Sequence, residues 1–233
     1  VWVPTSQALV DKMLDTAKLT PNDIHMDLGS GDGRTVITAA KRGAHSTGIE
    51  YNPDMVELSK QNAAKAGVTD KATFIKADLF ETDFSKATVI TLFLLPDINL
   101  KLRPKILDLK PGTRIVSHAF TMDDWRADET VSSQDNASYS RTAYLWIVPA
   151  KVEGTWKTAQ GEITFKQTFQ MLSGSVKNGG STVAIETGRL RGDQITFTAG
   201  CTEYTGRVSG GAIEGSMRGA NSGNWSATRT GRK

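Results

Sequence analysis

The stretch HMDLGSGDGRT, residues 25–35, decides how the chain is read. An apolar run stops at Asp27, and glycines then occupy positions 29, 31 and 33. Upstream, DIHMDL has the texture of a short buried strand following the turn-forming TPND. Downstream, RTVITAAKR places Val36, Ile37 and Ala40 on one helical face. A strand, a glycine turn and a helix therefore follow one another. Glycine in such a turn permits left-handed backbone and lets N–H groups approach a ligand at a helix N-terminus.

Working outward, the same alternation recurs over the first 150 residues. TSQALVDKMLDTAKL predicts an amphipathic helix capped by Thr5 or Ser6. STGIEYN predicts a second strand ending at Glu50, and Pro53 opens a long helix closed by Gly67. ATFIKAD predicts a third strand ending at Asp78, ATVITLFLLP a fourth ending at Pro96, and LKPGTRIVSHAF a turn and a fifth. Strands alternating with helices imply βαβ units and an open parallel sheet, whose ligands bind at the carboxyl ends of the strands. Asp27, Glu50 and Asp78 all fall at such ends.

Glu50 lies 23 residues beyond Asp27, where an acidic side chain accepts hydrogen bonds from a ribose diol. A nicotinamide enzyme would favour G-x-G-x-x-G. Here the run is G-S-G-D-G followed by Arg34, and Asp32 inside the loop would repel a pyrophosphate. Asp27 just before the loop suits a cationic, phosphate-free adenosyl ligand carrying an ammonium and a sulfonium.

These residues carry a resemblance. MDLGSGDGRTVITAA resembles motif I of class I (seven-β-strand) S-adenosylmethionine-dependent methyltransferases, GIEYNP their ribose-binding strand end, and KADLF their later acidic motif. VPTSQ, DLGSGDGR, IEYNP, ADLF, LFLLP and LKPGTRIVSHAF…DDW follow in that order over residues 1 to about 125. They are similar to bacterial relatives of the lysine methyltransferases that act on the ATP synthase c-ring protein and the adenine nucleotide translocase. The resemblance implies a Rossmann-like α/β domain that uses S-adenosyl-L-methionine. It implies that Asp27, Gly29, Ser30, Gly31 and Gly33 hold the methionine end, that Glu50 takes the ribose, that Tyr51 binds the cofactor, and that Asp78 and Leu79 bracket the adenine. Thr5 closes over the cofactor, and Phe93, Leu94 and Pro96 form the substrate mouth with Phe93 also against the cofactor. Trp125 either lines the acceptor pocket or packs in the core. Asp97 either faces the mouth or begins the next helix. His25 reads as structural, and His118 as a buried, satisfied histidine rather than a base.

The implied activity is in-line methylation of a protein lysine. A small-molecule acceptor stays open, as does a non-enzymatic protein whose C-terminal part does the work. A nicotinamide-dependent oxidoreductase is disfavoured by Asp32 and Arg34. Methyl transfer to an amine asks mainly for alignment and desolvation, worth several of the roughly 7–11 kcal/mol available from positioning. No catalytic triad is expected, and the catalytic residue is unknown. Three histidines and one cysteine far apart in sequence predict no metal site.

Composition shifts near IVPAKVEG. Of 22 glycines, 7 fall in residues 1–150 and 15 in residues 151–233. The first part has 17 basic and 19 acidic residues, a balance of −2; the second has 11 and 6, a balance of +5. The expected organisation is a methyltransferase domain over 1–150 and a small antiparallel β-barrel or β-meander over 151–233. In the latter, EITFKQTFQML predicts one face carrying Ile163, Phe165, Phe169 and Met171, while KNGGS predicts a hairpin turn. GRLRGDQI and GRVSGGAI echo each other 18 residues apart, and Trp156 and Trp225 are placed at either end of the barrel. Its Ser/Thr/Gly texture offers no basic–aromatic stripe, so no nucleic-acid partner is expected.

No apolar run approaches the roughly 18 residues of a membrane-spanning helix. The eukaryotic relatives carry a hydrophobic membrane-targeting segment ahead of this domain. This chain shows none, which points away from a membrane-embedded acceptor. A single cysteine fits the cytoplasm, and a start at Val1 rather than Met leaves room for a removed targeting peptide.

Overall fold

A computed structural model describes residues 3–136 and 139–231. It divides into two compact units, residues 3–109 with 113–147 and residues 110–112 with 148–231. The sequence places the boundary at 150. In the structure Val148 already belongs to the second unit, its carbonyl accepting from the Gly112 N–H at 2.9 Å.

The first unit runs α1 (Gln7–Thr16), β1 (Ile24–Leu28), α2 (Arg34–Lys41), β2 (His45–Glu50), α3 (Pro53–Ala66), β3 (Ala72–Lys76), β4 (Val89–Leu92), α4 (Pro96–Leu107), β5 (Arg114–His118), β6 (Glu129–Ser132) and β7 (Thr142–Ile147). One sheet orders these strands β3-β2-β1-β4-β5-β7-β6. β1 to β5 are parallel, and β7 and β6 extend the sheet antiparallel. The order reverses on either side of β1, so a crevice opens beyond the carboxyl ends of β1 and β4.

Local chemistry explains the elements. Ser6 caps α1 by accepting from the Leu9 N–H at 3.3 Å. One face of that helix packs Leu9, Met13 and Ala17 against Val89, Val116 and Leu145, while Val10 and Leu14 meet Ala39. Asn52 caps α3 ahead of Pro53, and Gly67 ends it at φ 70°. β4 is buried along its whole length, as a central parallel strand requires. β6 and β7 lie beyond the five strands legible in the sequence. β6 is short and largely exposed, so it shows no hydrophobic alternation.

The second unit is a closed eight-stranded antiparallel barrel of β8 (Gly154–Lys157), β9 (Gly161–Thr168), β10 (Met171–Asn178), β11 (Ser181–Arg191), β12 (Gln194–Ala199), β13 (Thr202–Ser209), β14 (Ala212–Gly219) and β15 (Gly223–Gly231). KNGGS forms the β10–β11 turn, and the two GR…G echoes become the β11–β12 and β13–β14 hairpins. Ile163 and Phe165 point into the core, but Phe169 and Met171 do not continue their face. Phe169 takes φ 54° in the turn after β9, which resets the alternation, so Gln170 and Leu172 are buried and Met171 is 52% exposed. Trp156 packs on Phe165, Phe165 on Phe197, and Phe197 on Trp225, so one chain of aromatic contacts through the core links the two tryptophans. At Gly174 (φ 132°), a Cβ would stand 1.8 Å from the Thr164 carbonyl oxygen, and the β10–β11 register shifts there; the strand bends where only glycine fits. Among the described residues no helix is long and apolar enough to cross a membrane.

Candidate active site

The glycine turn is pinned by two elements, β2 and α3. The Gly29 and Ser30 N–H groups donate to the Ile49 carbonyl of β2 at 2.8 and 3.0 Å. From α3, Ser59 Oγ donates to the Gly31 carbonyl at 2.8 Å and Asn62 Nδ2 to the Asp32 carbonyl at 3.0 Å. Gly29, Gly31 and Gly33 all have positive φ, and a Cβ on Gly33 would come within 2.8 Å of the Phe74 ring. The loop's path therefore needs glycine, quite apart from any ligand.

Asp27 lies under the loop, 7% exposed, and accepts from Thr91 Oγ1 at 2.7 Å. Thr91 spends its one proton there, so His25 Nε2 must be the donor to Thr91 Oγ1 at 2.8 Å. His25 Nδ1 then accepts from Ser46 Oγ at 2.5 Å. Burial pushes the His25 pKa down to about 3, which keeps this ring neutral. The result is a buried relay, Ser46–His25–Thr91–Asp27, across β2, β1 and β4. Burial also raises the Asp27 pKa to about 7, against the Thr91 hydrogen bond and helped by the nearby charges of Glu50 and Asp32.

Glu50 receives the Gly31 N–H on Oε1 at 3.0 Å and the Asn52 N–H on Oε2 at 3.1 Å. Asp32 is matched by Arg34, whose guanidinium reaches it at 2.7 Å, and it caps the Arg34 N–H at 3.2 Å. Its charge is thus answered within the chain. Asp32 therefore repels a pyrophosphate less than its place in the sequence suggests, because its carboxylate is spent on the Arg34 N–H and guanidinium. Arg34 Nη1 also donates to the Thr5 carbonyl at 3.0 Å, fastening the segment before α1 beside the loop.

One cavity gathers Thr5, Asp27, Gly29, Ser30, Gly31 and Phe93, together with Pro4, Met13, Arg34 and Thr91. Gly33, Glu50, Tyr51, Asp78 and Leu79 lie outside its wall. Glu50 touches the loop at Gly31, while Asp78 sits beyond β3 and accepts from the Phe80 N–H at 2.9 Å. Tyr51 is 75% exposed. Leu94 packs over Gly29, whose added Cβ would meet it at 3.1 Å, and Pro96 and Asp97 stand in the first turn of α4. Trp125 is not at a mouth. It is fully buried, its ring 6.1 Å from that of Trp146, and its carbonyl accepts from Trp146 Nε1 at 2.8 Å. Of its two readings, core packing is the one the structure displays.

His118 is also satisfied. Its Nε2 donates to the Ser140 carbonyl at 2.8 Å, which leaves Nδ1 to accept from the Thr5 hydroxyl at 2.8 Å. Burial pushes its pKa down, so it stays neutral and has no free nitrogen for a substrate proton.

The donor set selects its ligand. Among the described residues Asp27 and Glu50 have no cationic partner, and the buried Ser30 Oγ has no hydrogen-bond partner. Two carboxylates at adjoining strand ends, one strained by burial, fit a cationic amino-acid end and a vicinal diol. They do not fit a polyphosphate. Sequence reasoning missed Thr91 as the partner of Asp27 and Arg34 as the partner of Asp32 and Thr5. A threonine inside the otherwise apolar run ATVITLFLLP was the one available signal for Thr91.

Comparison with known proteins agrees with this chemistry. Residues 27–129 match the ANTKMT methyltransferase domain. A protein-lysine N-methyltransferase of Saccharolobus islandicus is 42% identical over 150 residues, 63% of this chain and 92% of the relative. The adenine nucleotide translocase lysine N-methyltransferase of Mus musculus is 31% identical over 127 residues, 54% of this chain, and the chain spans only 55% of its length. A crystal structure described as an RNA methyltransferase from Salinibacter ruber, in complex with S-adenosyl-L-homocysteine, is 47% identical with a TM-score of 0.60, covering 64% of this chain and 96% of that one. With its acidic strand ends, its pinned glycine loop and these relatives, the chain belongs to the S-adenosylmethionine-dependent methyltransferases of the ANTKMT-domain family.

Proposed function

We propose that the enzyme methylates the side-chain amine of a lysine in a protein. The observation that carries the reading is the pocket itself. It is lined by Asp27 and the glycine loop and opens beside the apolar Phe93 and Leu94, so a desolvated amine fits its mouth. S-adenosylmethionine, when bound, supplies an electrophilic methyl group on a positively charged sulfur.

The protein's part is to hold and to align. Asp27, kept in place by Thr91 and His25, accepts from the ammonium of the methionine end. Glu50, oriented by the Gly31 and Asn52 N–H groups, accepts from the ribose hydroxyls. Thr5, held by Arg34 and His118, covers the cavity, and Phe93 excludes water from the methyl path. An acceptor nitrogen aligned there would take the methyl group with its lone pair, the electrons of the C–S bond remaining on sulfur. An acceptor that arrives as an ammonium gives one proton to water before its lone pair is free to attack, and the methylated product leaves as an ammonium, so no side-chain base is required. The acidic residues Asp54, Asp78, Glu81 and Asp97 follow the carboxyl ends of β2, β3 and β4, while Arg103 is paired with Asp124 and Lys105 donates to the Thr82 carbonyl, a balance that favours an ammonium over a phosphate backbone.

Labelled-methyl transfer into a cell lysate, split between protease and ribonuclease digestion, tests the reading. Label that resists ribonuclease and is recovered as methyllysine after acid hydrolysis is expected. Label released by ribonuclease would give the acceptor to RNA instead.

A further inference from the structure

Resting on the lysine reading, we propose that Phe93, Phe120 and Tyr139 form an aromatic face that receives the acceptor's ammonium group beside the cofactor cavity. The three ring centroids make a nearly equilateral triangle, with Phe93–Phe120 at 6.1 Å, Phe93–Tyr139 at 5.9 Å and Phe120–Tyr139 at 6.0 Å. The rings are tilted to one another by 64°, 77° and 43°, as the walls of a cup are, and a cation in that cup about 5 Å from each centroid is inside the range of cation–π attraction. The neutral His118 packs 3.9 Å from the Phe93 centroid and 6.4 Å from that of Tyr139, and adds no competing charge.

Three features distinguish this cluster from ordinary packing. Phe93 lines the cavity that holds Asp27, so the face is continuous with the cofactor site. Tyr139 is 57% exposed, so its ring is reachable from solvent. Phe120 is aimed by a strained turn: Ala119 takes φ 66°, the Phe120 N–H donates to the His118 carbonyl at 2.8 Å, and Ser117 Oγ donates to the Phe120 carbonyl at 2.7 Å. A non-glycine residue in this conformation at a strand end is strain held at a working position. The rings come from three separate connections, after β4, after β5 and between β6 and β7, all at the crevice end of the sheet. An aromatic face binds an ammonium without needing its N–H groups, and it rejects a phosphate or a carboxylate.

The test separates the face from the identity of the acceptor. The full chain, saturated with S-adenosylhomocysteine so that the cofactor site is filled, is titrated by NMR with choline and with its uncharged isostere 3,3-dimethylbutan-1-ol. Choline binding in the millimolar range is expected, with the isostere at least about fivefold weaker. Tyr139→Ala should weaken choline about five- to thirtyfold and Tyr139→Phe less than about twofold, with S-adenosylhomocysteine affinity unchanged in both. The exposed position of Tyr139 keeps the truncated variant folded. Choline binding that is absent, or equal in wild type and Tyr139→Ala, overturns the proposal. Loss of S-adenosylhomocysteine binding in Tyr139→Ala also overturns it, because the ring would then belong to the cofactor site. If choline behaves as expected but transferred label is found only in RNA, the lysine reading falls and the ammonium face stands.

Discussion

Cofactor binding should be coupled to the ionisation of Asp27. Its carboxyl titrates at about 7 in the free protein, chiefly because it is buried, against an ordinary value of 3.8. A ligand ammonium needs the ionised form, so binding below pH 7 must expel a proton. With a pKa of 7 the ionised fraction is about one half at pH 7 and about one thirtieth at pH 5.5, so affinity for S-adenosylhomocysteine should fall about fifteenfold over that interval. The ligand-free protein should show the opposite trend in stability. Because the folded-state pKa lies above the unfolded one, the folded state keeps a proton between about pH 4 and pH 7 that the unfolded chain has lost. Stability therefore declines as pH rises through that window, by roughly 4 kcal/mol in all, and is level above it. Asp27→Asn should remove both effects, abolishing tight binding while making the empty fold more stable at pH 8. Isothermal titration in two buffers of different ionisation enthalpy counts the released proton directly. An affinity that is flat from pH 5.5 to 7, with no proton released, would refute the coupling.

Three further outcomes follow from the packing. Thr91→Val leaves both His25 Nε2 and Asp27 Oδ1 without their shared partner; it should cost about 1–3 kcal/mol in denaturant unfolding and move the midpoint of the binding pH profile upward, since the lost hydrogen bond favoured the ionised carboxylate. Gly33→Ala must hold alanine at φ 86° with its Cβ 2.8 Å from Phe74; a loss of about 1–3 kcal/mol is expected by the same measurement, and a neutral result would mean the loop relaxes freely. Trp156→Ala empties a fully buried site in the barrel and removes the bond from its Nε1 to the Val152 carbonyl at 2.8 Å; the barrel's unfolding free energy should drop by about 3–5 kcal/mol, read by circular dichroism.

The cofactor half of the site was legible in the sequence for a physical reason. Each of its carboxylates ends a strand, and strand ends are marked by the change from apolar run to turn residues, so Asp27 and Glu50 could be placed without coordinates. The barrel was legible through period-two alternation and glycine hairpins, but a positive-φ turn at Phe169 reset the faces. The relay beneath Asp27 was not legible. Ser46 and Thr91 lie 21 and 66 residues from His25 along the chain, and only the pairing of β1 with β2 and β4 brings them together. The pairing of Asp32 with Arg34, two residues away, was not legible because it depends on the shape of the turn.

The acceptor side is harder still, and the reason bears on function. A cofactor shared by many enzymes is met by a motif on consecutive residues, but an acceptor is met by whatever the loops bring to the crevice. Here those are Phe93, Phe120 and Tyr139, single aromatics with no local pattern, drawn from three connections and fixed by a strained alanine and a satisfied histidine. His118 thus holds two parts of the site in one register, through Thr5 on the cofactor side and through its ring against Phe93 on the aromatic side. A change at His118 should therefore disturb cofactor affinity and choline binding together, whereas Tyr139→Ala should disturb choline alone. That contrast separates a positioning residue from a contact residue by measurement.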